Sequence, residues 1–270
     1  MCKLHKSIRI FADMITDIRA KKRLGQHFLI DKNIARKITD SLLNREALPI
    51  IEVGAGTGVL SEYLSEKNVP VTLIDIDPEA VAVLKQKYSH KEIKIILGDF
   101  LKLDFKQNFE PKVCIIGNFP YNISSQIFFN LIANRDSIDE VVCMVQKEVA
   151  QRIAAKSGSK TYGILSVLLQ TWFDIEYLFT VNETVFVPPP KVKSAVIRLR
   201  RNNTILLGCD ESAFIKVVKA AFNQRRKTLR NALKTLGKDS REIPDEILDN
   251  RAEKLEISQF VLITDILFAS

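Results

Sequence analysis

Apolar runs long enough to cross a bilayer are missing from this 270-residue chain, because charges interrupt every candidate. A spanning helix needs about 20 apolar residues in succession, so no membrane association is expected. A secretory leader is missing too. Arg9, Asp13, Asp17 and Arg19 break up the first 20 residues, and the two acids also argue against an organelle-targeting peptide. Residues 1–20 are therefore expected to form an extension.

Paired cysteines are lacking. Cys2, Cys114, Cys143 and Cys209 are scattered with no C-x-x-C spacing, a pattern of a reducing compartment rather than of a disulfide scaffold, and a cytoplasmic protein is expected. The three histidines lie far apart in sequence and away from cysteine, so no metal site is expected. Internal repeats and low-complexity segments are absent, and only 10 glycines are present. Collagen-like and disordered chains are thereby excluded.

Core-forming residues are plentiful. Hydrophobic residues make up 46% of the chain and 15 are Phe, enough for one medium domain with a small appendage. The net charge of +8 is unevenly spread: residues 1–45 carry +7, 46–200 carry −1, 201–235 carry +6 and 236–270 carry −4. A near-neutral body with two basic segments suits a polyanion-binding surface if the segments meet in space. Two solvated helix faces would give the same charge pattern.

From Pro49 onward, short β-branched runs alternate with longer amphipathic stretches. Strands are predicted at 50–53, 71–76, 93–97, 113–117, 140–146, 173–181 and 194–198, with helices at 59–67, 79–88 and 125–134. This alternation predicts an α/β fold, a Rossmann-like, mostly parallel sheet with helices on both faces. Asp31 is placed to cap a helix over 31–43. After Arg200-Arg201-Asn202-Asn203 the pattern becomes purely helical. Stripes run from Phe214 to Phe222 and from Leu229 to Leu236, and a last helix is expected after a Ser258 cap. The expected division is an extension (1–20), a catalytic domain (21–201) and a small all-helical domain (202–270).

The first strand runs into Gly54-Ala55-Gly56-Thr57-Gly58. Glycines there permit a tight turn and let backbone N–H groups approach a ligand at a helix N-terminus. Val59 stands where a dinucleotide fingerprint needs a small residue, which argues against a nicotinamide or flavin. Asp75 ends the second strand, where a carboxylate can hold both ribose hydroxyls. Asp77-Pro78 reads instead as a helix start. Asp99 follows the third strand, within reach of an adenine edge. Each feature alone is commonly structural; three in order after three strands indicate a nucleotide-type ligand.

The fourth strand runs into Asn118-Phe119-Pro120-Tyr121. The lone pair of an adenine amine is delocalised into the ring, so the nitrogen is planar and a poor nucleophile. An acceptor for its N–H protons draws the nitrogen towards tetrahedral geometry. The side-chain oxygen of Asn118 and the main-chain carbonyl of Phe119, stiffened by Pro120, can serve. Tyr121 can stack on a base swung out of its own stack. With an activated methyl donor the attack needs no general base, and positioning does most of the work. In isolation the tetrapeptide reads as an ordinary turn; its place after the fourth strand makes the catalytic reading the better one.

With these motifs in order, the chain resembles the ribosomal RNA adenine N6,N6-dimethyltransferases of the small-subunit (KsgA/RsmA) type, from about Lys21 to the last helix. The resemblance implies S-adenosylmethionine as methyl donor and two neighbouring adenines of 16S rRNA as substrate. It further implies a part in small-subunit assembly, the pre-30S particle as partner, and a monomer. Leu24-Gly25-Gln26-His27-Phe28-Leu29 resembles the segment that folds over the cofactor, with His27 in place of the commoner Asn; His27 and Leu29 are carried over as cofactor contacts. Glu52, Gly54, Gly56, Asp75, Asp99 and Asn118 match further cofactor positions, Glu52 facing the methionine end. Thr161-Tyr162-Gly163 and the stretch from Phe186 to Ser194 also match. Phe186 is implied as a second wall against the base, with a core aromatic as the alternative reading.

Arg225-Arg226-Lys227 and Arg230 match the family's basic signature, implying rRNA contact. Four basic residues in six positions also suit a helix laid along phosphates. Two alternatives stand beside this reading. The large-subunit (23S) adenine methylases of the macrolide-resistance type share the cofactor and Asn-x-Pro-Tyr motifs but differ in the C-terminal half. A non-catalytic ribosome-assembly factor would not need Glu52, Asp75, Asp99 and Asn118 intact. A DNA adenine methyltransferase would carry a target-recognition insert that this chain lacks.

Overall fold

Nine strands form among the described residues, which are 20–109 and 112–268 of this computed structural model. They are β1 (Phe28–Leu29), β2 (Ile50–Val53), β3 (Val71–Asp75), β4 (Ile93–Leu97), β5 (Val113–Asn118), β6 (Ile138–Gln146), β7 (Phe173–Val181), β8 (Phe186–Val187) and β9 (Ser194–Arg201). The extension expected over residues 1–20 lies, but for Ala20, outside the described residues.

Seven strands make one sheet in the order β4-β3-β2-β5-β6-β9-β7. β4, β3, β2, β5 and β6 run parallel, and β9 is antiparallel to β6. Helices fill the connections, so the central strands are covered and read as unbroken apolar runs. All four residues of β2 and the first five of β5 are buried. β1 and β8 form a separate two-stranded ladder, pairing Phe28 with Val187 and Leu29 with Phe186.

The strand order reverses between β2 and β5: the chain first winds outward to β4, then returns to β5. In a doubly wound sheet the connections at such a point leave on opposite sides and open a crevice at the carboxyl ends of the strands. Here the crevice falls where Gly54 follows β2 and where β5 ends at Asn118. The two strands approach so closely that a Cβ on Gly117 would lie 2.4 Å from the carbonyl oxygen of Val53. Only glycine permits that approach.

Local signals set several boundaries. Asp31 caps the Lys32–Asp40 helix by accepting from the N–H groups of Asn33 and Ile34. Asp77 caps Pro78–Lys87, with proline in the first turn, where its missing N–H costs nothing. The last helix is Ile257–Phe268, so it begins before Ser258, and that residue is not its cap.

Backbone contacts divide the chain into two compact units. One runs to Lys147 and includes Glu176–Arg200; the other comprises Glu148–Ile175 and the residues from Arg201 onward. One crossing lies at Arg200/Arg201. The other two place Glu148–Ile175 with the C-terminal helices, whereas sequence alone assigns that segment to the catalytic domain. The reason is aromatic packing. Trp172 meets Phe214 edge-on at 6.2 Å, and Tyr162 meets Phe222 at 6.1 Å. The Glu211–Asn223 helix buries Phe214, Val217, Val218, Ala221 and Phe222, the stripe that its sequence predicts.

Candidate active site

Nine of the expected residues line a single cavity at the strand switch point: His27, Gly54, Gly56, Asp75, Asp99 and the four from Asn118 to Tyr121. On the β2 side, Gly56 has φ +52°, and a Cβ there would lie 3.1 Å from the Phe28 ring. The glycine turn thus lets β1 close down on it through the Phe28 ring.

Asp75 is held by two main-chain donors, Gly56 N–H to Oδ2 and Asp77 N–H to Oδ1, both at 2.8 Å. Burial raises its pKa, and those N–H bonds pull the other way. Asp99 caps the short turn after β4, accepting from Leu101 N–H at 3.0 Å. Asp77 does not line the cavity; it ties down the segment that does. Its Oδ1 meets Lys21 Nζ at 2.6 Å and its Oδ2 accepts from Gln26 Nε2 at 3.1 Å. Burial alone would raise its pKa, but the lysine and the amide more than offset this, and the carboxyl sits below its usual range.

At the β5 end, Asn118 Nδ2 donates to the main-chain oxygen of His27 at 2.9 Å. Its Oδ1 is buried and has no hydrogen-bond partner among the described residues. An unsatisfied buried acceptor costs about 1–3 kcal/mol, so one at a cavity wall points to a donor arriving with a ligand. The Phe119 side chain is fully buried against Phe128, and its N–H donates to Met144 O at 3.0 Å. Tyr121 shares a hydrogen bond with Ser194 and stacks on His27 with ring centroids 5.4 Å apart. Burial raises the Tyr121 pKa.

Three expected residues are not at the cavity. Glu52 is buried and accepts from Ser61 Oγ at 2.5 Å, and desolvation pushes its pKa up to about 8. Leu29 and Phe186 face each other across the β1–β8 ladder, and both are buried in the hydrophobic core. Phe186 as found is a core aromatic rather than a wall of the cavity. The pairing, which no periodicity announces, turns its ring inward.

Sequence reasoning also missed contributors. Ile76, between two aspartates, is 51% exposed and lines the cavity; an apolar residue left open at a strand's end was its signal. Phe100 lines the cavity as well. Ser194 stood in the sequence only as the end of a matching stretch, because its bond to Tyr121 depends on the fold bringing the two together.

In the second unit, Gln224–Lys227 form a turn between the helices Glu211–Asn223 and Leu229–Ala232. The basic signature is therefore not one helix along phosphates. Arg225 donates to the carbonyls of Lys160 and Tyr162, and Arg230 pairs with Asp245 at 2.7 Å and Asp249 at 2.8 Å. Arg226 and Lys227 are exposed.

A doubly wound sheet with this glycine turn, this strand-end carboxylate and an orphan amide oxygen at the end of β5 defines an S-adenosylmethionine-dependent methyltransferase of nucleobase amines. The chain belongs to the ribosomal RNA adenine dimethylase family, whose model matches residues 18–268. It is 53% identical over 248 residues to the ribosomal RNA small subunit methyltransferase A of Parabacteroides distasonis, covering 92% of this chain and 93% of that one. Its fold is similar to the crystal structure of a dimethyladenosine transferase from Plasmodium falciparum, with TM-score 0.76, 26% identity, and 90% and 98% of the two chains covered. The 23S rRNA methyltransferase ErmE, with TM-score 0.70, 24% identity, and 89% and 99% covered, shares the fold.

S-adenosylmethionine is the cofactor, and the residues present fit it. Asp75 and Asp99 place two carboxylates on the cavity wall near the glycine turn, and Ile76 offers an apolar contact between them. No helix of the described residues is long and apolar enough to cross a membrane, and no cluster of metal-binding side chains occurs among them.

Proposed function

We propose that this enzyme methylates the N6 amines of two adjacent adenines in a small-subunit (16S) rRNA loop. The reading includes a cytoplasmic monomer that works on the pre-30S particle and takes part in its assembly. The observation that carries the chemistry is the buried, unpartnered Oδ1 of Asn118. The choice of the small subunit rests on the relative acting there being 53% identical over 92% of this chain.

The cofactor, when bound, supplies a methyl group already activated by its sulfonium. This chain's residues prepare the acceptor. Asn118 Oδ1 takes an N–H of the adenine amine, which draws the nitrogen lone pair out of conjugation with the ring. Pro120 restricts the main chain so that the Phe119 carbonyl can serve as second acceptor. Tyr121 receives the flipped base on its ring, which positions the amine for in-line transfer. In the second unit, Arg226 and Lys227 offer their charges to rRNA phosphates, while Arg225 and Arg230 hold the turn that presents them.

Labelled-methyl transfer to unmethylated small subunits, with the modified adenines mapped afterwards, tests the proposal. Dimethylation at two neighbouring adenines is expected. Transfer to naked large-subunit rRNA instead would overturn the choice of substrate.

A further inference from the structure

His27 touches both working side chains of the Asn118–Tyr121 turn. Its main-chain oxygen accepts from Asn118 Nδ2 at 2.9 Å, and its ring stacks on Tyr121 at 5.4 Å with the planes inclined by 29°. The ring is itself fixed. Nδ1 lies 2.8 Å from the carbonyl oxygen of Pro188; that oxygen can only accept, so Nδ1 carries the hydrogen. The backbone that follows is held as well, because β1 pairs with β8 and Ile30 N–H donates to Val185 O at 2.9 Å, while the Gln26 side chain before it donates to Asp77 at 3.1 Å.

We propose that His27 is a positioning residue for the methyl acceptor, turning the Asn118 amide through its carbonyl and backing the Tyr121 ring with its imidazole. This rests on the amine-activation reading above. An amide can face its surroundings with either end, and only the oxygen end can take an amine N–H. The His27 carbonyl cannot receive the oxygen end without setting two acceptors against each other, so Nδ2 is committed to it and Oδ1 is left for the substrate. The imidazole covers one face of Tyr121, while the Ser194 hydroxyl holds its OH. One ring face remains for the incoming base, in a His27–Tyr121–base stack. Burying Tyr121 from two sides removes its rotamer freedom before the base arrives, so positioning is complete in advance.

The test separates positioning from cofactor holding. His27→Ala leaves the main-chain carbonyl but removes both the ring and its Pro188 anchor. Turnover on unmethylated small subunits at saturating cofactor is expected to fall by about tenfold to a hundredfold, the scale of a misplaced reacting group. The cofactor Kd from calorimetry is expected to rise as well, because His27 also lines the cofactor cavity, so the loss is scored only at saturating cofactor. His27→Phe retains a ring face against Tyr121 without the Pro188 bond and should recover part of the turnover; His27→Asn retains a donor without the ring and should recover less. Ser194→Ala, which loosens Tyr121 from its other side, is expected to lower turnover likewise, and less than additively with His27→Ala. A wild-type turnover in His27→Ala, or a loss reversed by excess cofactor, overturns the proposal. So does a loss that follows melting temperature equally in the Phe and Asn variants. Asn118→Ala run in parallel distinguishes the failures: wild-type turnover there sinks amine activation itself, whereas an inactive Asn118→Ala beside a fully active His27→Ala sinks only the role of His27.

Discussion

Lys21 Nζ and Asp77 Oδ1 lie 2.6 Å apart, joining the segment that covers the cavity to the loop after β3. Glu79 meets the same ammonium at 3.0 Å, and Gln26 completes the clasp through the other Asp77 oxygen. The end of β3 thus presents Asp75 to the cavity, and the next aspartate, Asp77, anchors the segment that lines its other side.

Replacing Asp77 by Asn should loosen this strap, raising the cofactor Kd by about tenfold with little loss of turnover at saturation; calorimetry and steady-state kinetics read the two apart. The Asp77 pKa lies below its reference of 3.8 in the folded chain. A depressed carboxyl contributes fully above its unfolded pKa and loses that contribution as pH falls through the folded value. Cofactor affinity should therefore show no Asp77-dependent change between about pH 5 and 8, and a weakening specific to the wild type only below about pH 4.

At saturating cofactor, Asn118→Ala should lower methyl transfer by about a hundredfold or more, the scale of losing one preorganised group at a reacting centre. Single-turnover transfer to unmethylated subunits measures it. Turnover like that of the wild type would remove the Oδ1 acceptor from the mechanism.

Glu52 reverses the usual sign for a carboxyl. Desolvation raises its pKa from 4.5 to about 8, so between those values the folded chain holds a proton that the unfolded chain has released. Stability from this group is full below pH 4.5 and declines as pH rises towards about 8. Glu52→Gln abolishes that titration, and Gln can still accept from Ser61. The melting temperature of the variant should gain on the wild type from pH 5 to about pH 8 and level off above it, and parallel melting curves across that range would refute the assignment.

Neutralising Arg226 and Lys227 should weaken rRNA binding across sequences and reduce the salt slope by about 1 for each phosphate no longer neutralised. Arg230→Gln should instead lower the melting temperature with little change in slope, because its guanidinium already faces Asp245 and Asp249. Filter binding over a range of salt concentrations separates the two effects.

Much of this protein could be read from short stretches of chain. The limits of β2, β4 and β7 agree with the apolar runs that predict them, and the Asp31 cap and the Gly54–Gly58 turn occur where their residues stand. Strand and helix periods, caps and tight turns are set by neighbours within a few residues, so composition and order suffice. The sequence by itself also determined that Asn-Phe-Pro-Tyr stands at the end of the fourth predicted strand, where it lines the cavity.

Tertiary structure decided the rest. Phe186 turned to the core because β8 pairs with β1 across more than 150 residues of chain. The basic signature became a turn because the apolar side chains before and after it are buried in separate helices. The Asn118 amide acquired its orientation from a carbonyl 91 positions away. Each outcome depends on which distant groups arrive beside a residue, and hydrogen-bond complementarity and close packing settle that only once the sheet has formed.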